Sequence, residues 1–289
     1  MSEPHAAGRG TIPGIRDVLV GIAEEGRDDG PESALAYALA LAGTAGAHLT
    51  VQSAARRLTV VAGAAWGVVQ ELVASENGRL RALAQAAAGR AAADAAGLGI
   101  TCTTEASALA YPDLIARLTA RARLADLTVL EAGTREIDIE RDLIDAALFG
   151  SGRPVVVVPP GCRTFGARRV VVAWDGGPQA ARAANDALPF LRLAEAVEIV
   201  SVVGEKDLSA SVAGAEFAPH LTRHGVAVSV NDLPVVGDVA ETLRIQAGLF
   251  RADMLVMGAY RRARFREWLL GGVTRSLLLR SPVPLFLAH

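Results

Sequence analysis

Short apolar runs alternate with alanine-rich stretches of helical spacing along the chain, and the series occurs twice. Val18-Leu-Val-Gly-Ile opens the first series and Val170-Val-Val-Ala-Trp174 the second; both read as buried strands. Each leads through a turn with Gly and Pro into an alanine-rich helix. In the second series Ala180, Ala183, Ala184, Ala187, Leu188 and Leu191 share one helical face. The next strands are predicted at Leu49–Val51 and Val197–Val203. Helices follow over about Ala74–Ala96 and over Val212–His224, the latter closed by Gly225. Third strands are predicted at Ile100–Glu105 and Val226–Asp232. The third helices open differently: Pro112 and Asp113 precede Leu114–Leu124, whereas Asp238 with Glu241 forms a capping box for a helix running to Phe250. Fourth strands are expected at Asp126–Glu131 and Asp253–Gly258. Fifth strands, each introduced by a proline, are expected at Pro154–Val158 and Val283–Leu287.

Five strands alternating with four helices, twice over, predict an α/β fold of two tandem domains with parallel sheets. The expected division is a flexible 1–14, a first domain at 15–161 and a second at 168–289, joined by the turn-rich Pro159–Gly166. Val155–Val158 is apolar on both faces, and a long apolar edge invites pairing. The two fifth strands are therefore expected to meet, making the chain a covalent pseudo-dimer and leaving a further homodimer open. Ala55–Val73, with Trp66 and Arg56-Arg57, has no counterpart in the second series. It reads as a variable surface insertion, with a lid as the alternative.

Composition narrows the functional classes. At 289 residues and 30.0 kDa the chain accommodates one large or two ordinary domains, and 51% hydrophobic against 21% charged residues excludes general disorder. A net charge of −2 and 4% aromatics argue against a nucleic-acid partner. Two cysteines, Cys102 and Cys162, support neither a disulfide framework nor a four-thiolate zinc site. Ser33–Ala55 is the longest stretch without Asp, Glu, Lys or Arg, but Gly43, Thr44, Gly46 and His48 interrupt it. A helix followed by a strand explains it better than a membrane span. The start, MSEPHAAGRG, lacks the order of a secretory signal, so a cytoplasmic location is expected.

The most informative chemistry lies in Met254–Ser276, where a strand ends at Gly258, a basic loop follows, and Gly271-Gly272 opens a helix. Glycines admit a ligand close to the backbone, and a helix N-terminus offers free N–H groups to an anion. Phosphate binding is the physical expectation. Here the sequence resembles the universal stress protein family, specifically its tandem two-domain members. The family's nucleotide-binding forms carry Gly-x2-Gly-x9-Gly-(Ser/Thr) after the fourth strand; Gly258 takes the first position and Gly271 the third. Val170–Gly176 resembles the family's strand ending in Asp-Gly, and Ser281–Leu287 its closing strand. The resemblance implies doubly wound, adenine nucleotide alpha hydrolase-like domains with strand order 3-2-1-4-5, and a ligand cleft between strands 1 and 4.

By that resemblance Asp175 and its neighbours Ala173 and Trp174 would contact adenosine, with Val202 or Val203 on the adenine side. Gly258, Gly271, Gly272 and Val273 would wrap the phosphates, with Met257 and Thr274 among the other nucleotide-binding residues. The implied cofactor is ATP or another adenine nucleotide, with Mg only when nucleotide is bound. Two departures stand out. Arg261 occupies the motif's second glycine position, where its guanidinium offers a bidentate clamp instead. Gly272 stands where Ser or Thr supplies a hydroxyl, with Thr274 and Ser276 nearby. In the first series Ala23 replaces Asp175, Glu131 replaces Gly258, and Asp138, Glu140 and Asp142 would repel a phosphate, so that half is expected to bind no nucleotide.

Other chemistries find less support. An Asp after a strand is often only a turn or cap residue, which is the plain reading of Asp175. Glu216, His220 and His224 form a helical stripe, but without a further ligand a solvated face is expected and no metal. Arg261, Arg262, Arg264 and Arg266 are followed by Glu267 and read as a phosphate-loop lid, not a nucleic-acid patch. No nucleophile elbow or P-loop occurs, and no catalytic residue is assigned, so any ATP hydrolysis would be slow and incidental. A nucleotide-free interaction module is the rival reading.

Overall fold

The computed structural model describes residues 11–24, 32–59, 66–133, 139–204, 212–259 and 272–289. The first half runs β1 (Asp17–Glu24), α1 (Glu32–Ala45), β2 (His48–Arg56), α2 (Trp66–Gly97), β3 (Cys102–Leu109), α3 (Tyr111–Ala122), β4 (Leu127–Glu131), α4 (Ile139–Gly150) and β5 (Val155–Val158). The second runs β6 (Arg169–Ala173), α5 (Pro178–Asp186), α6 (Leu188–Leu191), β7 (Ala196–Val203), α7 (Gly214–Arg223), β8 (Val228–Pro234), α8 (Val239–Leu249), β9 (Met254–Gly258), α9 (Gly272–Arg280) and β10 (Leu285–Ala288). All pair into one ten-stranded sheet, ordered β3-β2-β1-β4-β5-β10-β9-β6-β7-β8. Each half thus has the 3-2-1-4-5 order of parallel strands. The fifth strands meet antiparallel, Phe286 opposite Val156.

Strands such as Val155–Val158 are buried on both faces because helices cover both. One face sets Val18, Val20, Val170 and Val172 against α1, α5, α6 and α7; the other sets Leu19, Val155, Val157 and Val171 against α3, α4, α8 and α9. Both apolar clusters run through the two halves. On the first face Tyr37, Phe165, Phe190 and Phe286 make a chain of edge-to-face ring pairs at 5.7, 5.9 and 5.7 Å, from α1 across the connecting segment to α6 and β10.

A carboxylate clamp repeats in both halves. Asp126, just before β4, accepts from the Arg16 and Asp17 amides at 2.7 and 3.0 Å. Asp253, just before β9, accepts from the Arg168 and Arg169 amides at 2.8 and 2.9 Å. Each ties the start of a central strand to its neighbour through charge-assisted bonds.

Several elements depart from the expectation. Within the segment read as an insertion, Ala55–Val73, β2 continues to Arg56 and α2 begins at Trp66, not Ala74, while residues 60–65 lie outside the described residues. Asn77 bridges Leu58 through both carboxamide atoms, at 2.8 and 3.0 Å, which fixes the end of β2 against the helix. The long alanine-rich helix of the second half breaks into α5 and α6, because Pro189 lacks an N–H and its ring crowds the preceding turn. Asp238 caps α8 as expected, its Oδ1 accepting from Glu241 N at 2.7 Å, but the Glu241 carboxylate pairs with Arg244 instead of returning to the cap. Ser33–Ala55 forms α1 and β2, and no helix among the described residues is long and apolar enough to cross a membrane.

Candidate functional site

The strand order reverses between β6 and β9, where the carboxyl ends of an open α/β sheet leave a crevice. Ala173 ends β6 and pairs with Met257 of β9. Val202 is the penultimate residue of β7 on the other side. Ala173, Val202 and Val273, the second residue of α9, pack half-buried on one apolar cluster that includes Met257. Four of the expected site residues are therefore brought to one face at the strand ends. Leu233 of β8 and Val239 of α8 pack on the same cluster. Sequence reasoning missed these two, because their place depends on how α8 crosses the sheet.

Trp174 is placed differently. It shares the opposite face with Val170 and Val172, as the two-residue period of a strand requires. Its indole stacks on Phe217 at 4.1 Å and 12°, and Nε1 donates to the Val212 carbonyl over 2.8 Å. Asp175 follows, its Oδ1 accepting from Gly177 N at 2.9 Å in the turn that enters α5.

Gly258 is a point of close approach. A Cβ there would lie 2.4 Å from the Ala180 nitrogen and 2.7 Å from the Gln179 Cβ, so the absent side chain lets α5 rest on the end of β9. Gln179, whose Oε1 is buried with no hydrogen-bond partner among the described residues, stands beside it. Gly272 is exposed, with no described atom within 4 Å of its Cβ position, while Thr274, two residues further into α9, is buried. Arg261 and Gly271 lie outside the described residues, as do Arg262, Arg264 and Arg266.

The first half shows what fills the corresponding space. Val18 pairs with Leu127 as Val170 does with Met254, so Gly21 corresponds to Ala173, Ala23 to Asp175 and Glu131 to Gly258. Glu131 Oε2 accepts from the Ala34 amide, third in α1, at 3.1 Å; a carboxylate of the chain itself thus meets the positive end of the first helix. In the second half α5 begins after Gly177 with no side-chain cap. A Cβ at Gly21 would stand 2.7 Å from Leu130 Cδ2 and 3.1 Å from Leu118 Cδ1, so these leucines occupy the face that Ala173 leaves half-open. Nearby, the Tyr111 hydroxyl donates to Asp142 and Arg56 lies 5.2 Å over the Tyr111 ring. Burial, then the Asp142 carboxylate, push the Tyr111 hydroxyl up to about 12, against the opposing pull of Arg56.

Both histidines of the predicted helical stripe are partnered within the fold. His220 Nε2 is 2.9 Å from Asn185 Oδ1 and its ring packs on Phe217, while His224 Nδ1 is 3.0 Å from Arg192. Among the described residues no three His, Cys, Asp or Glu side chains converge for a metal. Burial raises both cysteine thiols above their ordinary range, which works against nucleophilic use. A groove of about 440 Å³ lined by Gly43, Gly46, His48 and Gly99 opens at the amino ends of the first-half strands, away from the site described above.

Comparison with known proteins gives the fold of the chain and a family match for its second half. Residues 166–289 match the sequence profile of the Universal stress protein family. No curated protein matches the chain. Among solved structures, a universal stress protein from Archaeoglobus fulgidus superposes with a TM-score of 0.64 at 15% identity, covering 94% of this chain and 97% of that one. A protein of unknown function from Pseudomonas aeruginosa superposes at 0.56 and 14% identity, covering 96% and 93%. The doubled architecture is thus shared over nearly the whole length, and residues 166–289 are similar to the universal stress protein family.

Proposed function

We propose that the second half binds an adenine nucleotide, ATP, ADP or AMP, and that this ligand serves a regulatory role in the stress response. The observation that carries the proposal is the convergence of Ala173, Val202, Met257 and Val273 on one face at the switch point, beside Asp175 and Gly258. Half-buried apolar side chains at open strand ends suit a flat aromatic base. Asp175, at the exit of β6, faces adenosine, and the N-terminus of α9 at Gly272 offers N–H groups to phosphate. Arg261 and Gly271 complete the phosphate contacts in this reading, with Mg entering only alongside bound nucleotide. The work divides between a first domain at 15–161, a fixed partner without ligand, and a ligand-binding domain at 168–289, in a cytoplasmic protein. No acid, base or nucleophile constellation supports turnover beyond a weak ATPase.

Freshly purified protein should release a nucleotide on denaturation, identified by mass spectrometry, and give saturable heat with ATP, ADP or AMP. No release and no heat with any of the three would leave the second reading, a nucleotide-free interaction module. That reading draws its support from the first half, where Glu131, Leu118 and Leu130 have already taken up the equivalent space.

A further inference from the structure

The turn after α4 in the first half abuts the candidate site of the second. β5 and β10 run antiparallel, so the amino end of β5 lies beside the carboxyl end of β10. Two contacts exploit this. Phe149, near the end of α4, meets the His289 ring edge-on, with centroids 4.7 Å apart at 73°. His289 Nδ1 in turn bonds the Ala259 carbonyl at 2.9 Å; a carbonyl only accepts, so Nδ1 carries the proton. Ala259 N donates to the Ala288 carbonyl at 2.9 Å. Ala259, the first residue beyond Gly258, is thus held by both its backbone groups, which fixes the carboxyl end of β9. The second contact runs from α5: Arg182 donates to the Gly152 carbonyl at 2.6 Å, while Arg123 Nε donates to that of Gly150 at 2.9 Å.

The exit of β9 and helix α5, which meet at Gly258, are therefore each tied to residues 149–152 of the first half. We infer that His289 is a positioning residue for the second-half ligand site, braced by Phe149, an inference that rests on the nucleotide reading above. His289 acts through the Ala259 peptide, not on the ligand, and it makes the first half part of the binding apparatus of the second.

Calorimetry on the full chain with ATP, ADP and AMP tests this, with urea midpoints recorded for every variant. His289→Ala and Phe149→Ala are expected to weaken nucleotide binding roughly fivefold to tenfold. His289→Asn, whose Nδ2–H reproduces the Nδ1–H donor, is expected to return affinity to within about twofold of the parent. Unchanged affinity in His289→Ala, or an Asn variant as weak as the Ala variant, overturns the inference while the nucleotide reading stands. A parent protein that binds none of the three overturns both. Should Phe149→Ala fail to fold, the His289 pair decides alone.

Discussion

At Gly258 even a methyl group would meet the α5 backbone, 2.4 Å from the Ala180 nitrogen. Neither a helix start nor a strand end yields as a flexible side chain does, so Gly258→Ala should lower stability by about 1–3 kcal/mol, read as a shift in urea midpoint. The first glycine of the motif therefore serves packing whether or not phosphate is bound, and lost nucleotide binding in that variant would not isolate a ligand contact. Gly272 is the cleaner probe. No described atom lies within 4 Å of its Cβ position, so Gly272→Ser should leave the midpoint within about 0.5 kcal/mol and, on the nucleotide reading, tighten nucleotide binding by supplying the motif's hydroxyl. A Gly272→Ser protein that folds normally but binds no better would remove the hydroxyl from the account. Tyr37 offers a third residue-scale test. It is fully buried, its hydroxyl has no partner among the described residues, and burial drives that hydroxyl well above the ordinary tyrosine range. Tyr37→Phe should be neutral or stabilising by up to about 1 kcal/mol, since it removes an unsatisfied polar atom and keeps the ring on Phe165. A clear loss of stability would reveal a hidden partner for the hydroxyl.

Among the elements, what the sequence made legible follows from period. Runs such as Val155–Val158 and Val170–Val172 declare strands covered on both faces, and their repetition declares two halves. The alternation also held the answer for Trp174, which falls with Val170 and Val172, while Ala173 falls with Val171 on the cleft side. The start of α2 was less readable. Helix and strand formers mix through Ala55–Val73, and the Asn77–Leu58 bridge that orders one part depends on tertiary contact. The same holds for the Asp126 and Asp253 clamps, which join residues far apart in sequence. Asp253→Ala strands two amides at the start of β6 and should cost about 2 kcal/mol, with faster hydrogen exchange at Arg168 and Arg169. Unaltered exchange at those amides would mean that the ladder to β9 holds β6 without the carboxylate.

For the molecule as a whole, the joined sheet decides how the halves respond to stress. Two domains on a linker would melt separately, but here β5 and β10 pair within one sheet and both apolar clusters cross the junction. Phe286 lies at that seam, fully buried, opposite Val156 and edge-on to Phe190. Calorimetry of the parent should therefore show one transition whose van't Hoff and calorimetric enthalpies agree. Phe286→Ala opens a cavity at the seam and should cost about 3–5 kcal/mol. If the seam binds the halves into one cooperative unit, that cost lowers the melting of both together, and amides of β1 and β6 lose protection in parallel. Two resolved transitions in the parent, or exchange that rises only in the second half of the variant, would mean that each half folds on its own core. The first half would then be a neighbour of the ligand site and not a brace for it, because a wall that unfolds independently cannot hold Ala259 in place.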